Sequence, residues 1–115
     1  MPYSEEILTW TYKSIVAECR AKGVLPIFVF MPLLEESQYD EEIPTILRIA
    51  KESGFVILDL GNVFKGHDVT ALRLAEWDSH PNVKAHELLA NRLYDLMSEN
   101  AELIFPTPIA ARKGE

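Results

Sequence analysis

Asp78 and His80 are separated by a single serine, and His80 is followed by Pro81 and Asn82. A proline disfavours the α region for the residue before it, so His80 is expected on extended backbone rather than inside a helix. Asn82 is a natural N-cap for the amphipathic segment behind it. An acid beside an imidazole on a loop braced by a helix can hold a general base. The carboxylate takes one ring nitrogen, fixing tautomer and orientation, and leaves the other to accept a proton. On spacing alone, a His-Pro turn with Asp78 capping the loop is the commoner explanation of so short a pattern.

Other chemistry is sparser. Asp78, His80 and His86, with His67 or Asp68, have the donor types of a zinc site. However, His86 falls on the helical stripe of Leu89 and Leu93, where an inward-packed imidazole bonded to local backbone is expected. No metal or other cofactor is therefore expected, and Asp68 reads more simply as a helix N-cap. No serine has a strong nucleophile signature: Ser79 lies between acid and base, while Ser4, Ser14, Ser53 and Ser98 fall on or beside helices. Ser37 lies in the loop after the first apolar run, without the signature of a strained turn. Cys19 sits on an apolar helix stripe and reads as a core residue. Glu35, Glu36, Asp40, Glu41 and Glu42 read as a solvated loop and a charged first helical turn. Met31, Pro32, Leu33 and Leu34 suit either an acyl pocket or packing beneath a segment outside this sequence.

The elements that must position these residues are legible from periodicity. A helix is expected from Ser4, with Leu8, Tyr12, Ile15, Val16 and Cys19 on its apolar face and Gly23 as its stop. Residues 24–30 form a continuous apolar run, the mark of a strand buried on both faces. After a loop over 31–39, Asp40 opens a second helix with Ile43, Ile46, Leu47 and Ala50 inward, closed by Gly54. Residues 55–60 are a second apolar strand. Residues 61–77 read as irregular, with a short helix near 71–75, and a final helix spans 83–98 with Leu89, Leu93, Leu96 and Met97 on one face. Strands alternating with helices imply a parallel α/β sheet, here expected to be covered by helices on both sides. Two strands make a poor sheet with open edges, so residues 1–115 read as the C-terminal portion of one larger domain. Self-association or pairing through an exposed sheet edge is the interaction this implies.

Composition narrows the function. The 115 residues are 48% hydrophobic and 25% charged, with a net charge of −7, as in a globular chain. Excess acid and scattered Lys and Arg argue against nucleic acid as a partner. The longest apolar run, from Val24 to Leu34, contains two prolines and is too short to cross a bilayer, so no membrane span is expected. A lone cysteine and an N-terminus without a signal core make a cytoplasmic location the default.

Residues 72–97 resemble the last sequence block of the SGNH (GDSL-type) hydrolases. That block runs acid, His-Pro-Asn, a small residue with a second histidine, then an amphipathic helix with an aliphatic-Ala step. Here it reads Asp78-Ser79-His80-Pro81-Asn82, then Ala85-His86 and Leu89-Ala90. Gly23 to Val29 leading into Met31-Pro32, then Gly54-Phe55 and Leu58-Asp59-Leu60, extend the likeness over most of the chain. The resemblance implies a flavodoxin-like three-layer α/β/α fold, of which this would be the C-terminal half. It also implies ester hydrolysis through a Ser-His-Asp triad, with a small-molecule or acylated ester as substrate. His80 would be the base, Asp78 its orienting acid, and Pro81, Asn82 and His86 structural support. The acid stands two residues before the histidine rather than three, and Glu76 is the alternative acid. The family's Gly-Asp-Ser nucleophile block and its Gly-x-Asn-Asp block do not occur in these residues, and Gly61-Asn62 is only an echo. The rival expectation is therefore a non-catalytic α/β interaction module.

Overall fold

The structure, a computed structural model, describes residues 2–35 and 40–106. Helix α1 (Pro2–Ala21) begins before the expected Ser4, with proline in the first turn where no amide donor is needed. It ends where Gly23 takes a positive φ of 68°, and the Val24 amide turns back to donate to the Cys19 carbonyl at 2.8 Å. This helix ending absorbs the front of the first apolar run, so β1 (Ile27–Phe30) is shorter than the 24–30 expected. A 3₁₀ turn (Asp40–Glu42) then leads into α2 (Ile43–Ser53). Gly54, at φ 111°, caps α2, its amide donating to Lys51 and that of Phe55 to Ala50. Strand β2 (Val56–Asp59) lies parallel to β1, pairing Ile27 with Val56 and Phe30 with Asp59. Helix and strand thus alternate around a two-stranded parallel sheet, as in α/β chains.

The two faces of this sheet are clothed unequally. On one face Tyr12 of α1 meets Phe28 and Phe55 edge-on, with ring centroids 5.5 Å apart in both contacts. On the other, α3 (Val83–Glu99) brings Ala85 and Leu89 onto Leu58 and Leu60 of the β2 segment, joined by Leu34, Phe64 and Leu72. Leu93, Leu96 and Met97 pack against this cluster, as their spacing predicts. Helix α3 packs on β2. Ile27 and Val29 of β1 remain 36% and 42% exposed, which corrects the expectation of strands buried on both faces. Ile15 is likewise exposed, and Cys19 is only half-buried.

The segment 61–82 differs most from expectation. After turns over 61–66, Asp68 caps a 3₁₀ turn (Val69–Leu72) by accepting from the Thr70 amide at 3.0 Å. The helix expected near 71–75 is instead β3 (Arg73–Ala75), antiparallel to β4 (Asp78–Pro81) across a turn at Glu76 and Trp77. Pro81 is tolerated because it closes the last strand of a two-stranded ribbon. A short α4 (Ala101–Ile104) follows α3. No helix among the described residues is long and apolar enough to cross a membrane.

Candidate functional site

The acid–histidine pair is made inside one strand. Asp78 turns its carboxylate forward so that Oδ1 accepts the backbone N–H of His80 at 3.0 Å. The same oxygen lies 2.5 Å from His80 Nδ1. With the carboxylate as acceptor, Nδ1 carries the proton, and Nε2 is the nitrogen left to act as a base. The His80 side chain is 80% exposed, and Nε2 has no partner among the described residues. Donation from the His80 amide, then from its ring, holds the Asp78 carboxyl below the usual carboxylate range. Glu76, the alternative acid, sits exposed in the ribbon turn and makes no contact with the ring among the described residues.

Asn82 ties this strand to what surrounds it. Its Oδ1 accepts the Ala85 amide at 3.0 Å, capping α3. Its Nδ2 donates to the Ala71 and Arg73 carbonyls at 2.8 and 3.1 Å, and its backbone amide donates to Leu72 at 2.8 Å. One residue thereby joins the helix start, the 3₁₀ turn and β3. Arg73 supplies a second tie that sequence reasoning missed: its Nε donates to the Leu34 carbonyl at 2.8 Å, fastening the ribbon to the loop after β1. No local signal foretells a contact between residues so distant in sequence.

The remaining candidates separate from this pair. His86 is exposed on α3, its amide donates to the Asn82 carbonyl at 3.0 Å, and its ring has no hydrogen-bond partner among the described residues. Its expected inward packing is therefore overturned. Position 86 follows the buried Ala85, one step off the line through Ala85 and Leu89 that faces the core. His67 and Asp68 lie in the preceding turns, and no group of three or more His, Cys, Asp and Glu among the described residues is arranged to hold a metal ion. Ser79 is half-buried within β4, and Ser37 and Glu36 lie outside the described residues.

A cavity of about 680 Å³ opens beyond the carboxyl ends of β1 and β2, where ligands of open parallel sheets bind. Phe30, Met31, Pro32 and Leu33 form one wall, and Ile43, Ile46 and Leu47 of α2 the other. Leu34, read with its neighbours as either pocket lining or packing, turns into the core. Asp59 sits at the cavity's edge, its Oδ1 accepting the Gly61 amide at 2.8 Å. The Asp-Leu-Gly step that makes this turn was the available sequence signal, and it passed unremarked.

No family model matches the chain, and no curated protein or solved structure matches it either.

Proposed function

We propose that residues 1–115 carry the acid–base half of an SGNH-type ester hydrolase. The observation behind this reading is the Asp78–His80 pair, with Nδ1 against a carboxylate and Nε2 free on an exposed ring. In this role Nε2 takes the proton of an attacking serine hydroxyl, and Asp78 stabilises the imidazolium that forms. Hydrolysis then proceeds through an acyl-enzyme, released when His80 activates water. The serine and the oxyanion donors would come from sequence outside these residues, because no Gly-Asp-Ser block occurs within them. The bare edge and face of β1 fit the same proposal: they suit the middle of a larger flavodoxin-like sheet, with further strands beside Ile27 and Val29.

The test is hydrolysis of p-nitrophenyl acetate by a natural polypeptide that contains residues 1–115. His80→Ala is expected to lower kcat by about 10⁴-fold or more, and Asp78→Asn by about 10⁴-fold. Activity close to wild type in the His80 variant would sink the assignment. The uncovered apolar strand favours one second reading, an α/β interaction module in which the pair only shapes the ribbon. That reading predicts no hydrolysis and no serine labelling by a fluorophosphonate in the same polypeptide.

A further inference from the structure

We propose that Leu74 and Trp77 bind the alcohol portion of the ester, so that the substrate is an ester of an apolar alcohol; this rests on the hydrolase reading above. Among the described residues, Trp77 and Val83 are the most exposed large hydrophobic side chains, at 89% and 85%. They stand on either side of His80, each the third residue from it. A tryptophan left this bare is informative, because the residue is highly buried on average. At the rise of a strand, roughly 3.4 Å per residue, Trp77 lies within about 10 Å of His80 along the backbone. Leu74, 61% exposed, stands across the ribbon. Side chains alternate along a strand, so Leu74 and His80, the neighbours of the paired Arg73 and Pro81, share one face. Arg73 reaches the other way, to the Leu34 carbonyl. The imidazole thus stands beside apolar side chains that nothing in the described residues covers.

The path of the proton says which end of an ester these side chains meet. In the acylation step the bond from the reacting carbon to the alcohol oxygen breaks, and its electron pair goes to that oxygen. The proton that Nε2 took from the serine then passes to the same oxygen, leaving the serine acylated and the alcohol neutral. For this transfer the alcohol oxygen must come within hydrogen-bond reach of Nε2, roughly 2.6–3.2 Å. The carbon chain on that oxygen is therefore the part of the substrate nearest the ribbon, whereas the acyl chain starts one bond further from Nε2. A short alcohol leaves Leu74 and Trp77 in water. A longer alkyl group laid over them removes apolar surface from water on both partners.

Hexyl acetate and its isomer ethyl hexanoate, each compared with ethyl acetate in a natural polypeptide that contains residues 1–115, test the proposal. The isomers add the same methylenes to ethyl acetate, one on the alcohol and the other on the acyl chain. Wild type is expected to favour hexyl over ethyl acetate by about tenfold or more in kcat/KM, mostly through KM, which is well short of full burial of every added methylene. Trp77→Ala, at an exposed turn position, should fold as wild type and lose most of that ratio, and Trp77→Phe should keep part of it. Leu74→Ser is expected to lower the same ratio. The ratio of ethyl hexanoate to ethyl acetate should not move in any of these variants. A merely structural role for Trp77 would slow all the esters together and leave both ratios intact, which overturns the proposal. A loss confined to ethyl hexanoate overturns it too, because the chain on the ribbon would then be the acyl chain. Hydrolysis of no ester by the wild type sinks the hydrolase reading and this assignment with it, whereas unmoved ratios in an active enzyme sink this assignment alone.

Discussion

At the scale of single residues, Asn82 and Asp78 carry distinguishable loads. Asn82 accepts one helix amide and donates to two carbonyls through the same side chain. Asn82→Ala is expected to cost about 1–2 kcal/mol from the lost cap alone, read from the urea midpoint. Asn82→Asp keeps the acceptor but loses the two donated bonds, so its midpoint should fall between alanine and wild type. Asp78 sets a pH dependence. Its carboxyl is held below the usual range by the His80 amide first and the ring second. A depressed folded pKa means its contribution is complete above the unfolded carboxyl value, roughly 3.9, and disappears as pH falls through the lower folded value. A carboxyl carbon titration by NMR should place the Asp78 midpoint below that of an unstructured aspartate. A midpoint at or above the unstructured value would contradict the geometry.

At the scale of elements, Gly54 shows how tightly the helix layer is joined. It holds φ 111°, and a Cβ there would meet Val16 Cγ1 and Arg20 Nη2 of α1, each at 3.1 Å. Gly54→Ala should therefore destabilise the chain by about 1–2 kcal/mol from backbone strain, seen as a lower Tm with unchanged helix content. Residues such as Gly54, Leu58 and Leu89 were readable in advance, because their neighbours repeat with helix or strand period over enough positions. The ribbon of β3 and β4 was not. Its strands are three and four residues long, one reads Asp-Ser-His-Pro, and neither alternates apolar with polar side chains. What holds it is the reach of Asn82 and Arg73 into neighbouring carbonyls, which sequence spacing does not encode. The Asp78–His80 contact was legible because it lies within one short run, whereas the exposure of His86 turned on a shift of one position around a helix.

At the scale of the whole molecule, the two edges of the parallel sheet differ in kind. The edge of β2 is flanked by Arg48, Lys51 and Glu52 of α2, the sort of charge that guards a true edge. Beside β1 the exposed residues are Ile27, Val29, Met31 and Leu33. The Cα radius of gyration, 17.3 Å, exceeds the roughly 13 Å expected of a fully packed chain of this length, in keeping with a sheet clothed on one and a half faces. Such a surface should bind an apolar dye. Ile27→Thr with Val29→Thr is expected to lower anilinonaphthalene sulfonate fluorescence several-fold while leaving the circular dichroism spectrum unchanged. Undiminished fluorescence in the double variant would place the exposed apolar surface elsewhere.

The closeness of Asp78 and His80 along the chain has a consequence for transplantation. Acid and base share one oxygen-centred turn inside a single strand, so their relative placement needs no long-range packing. Grafted as a four-residue cassette into the second strand of an unrelated hairpin, Asp-Ser-His-Pro should carry the oriented imidazole with it. A designer would then need to supply the nucleophile, the oxyanion donors and the groove.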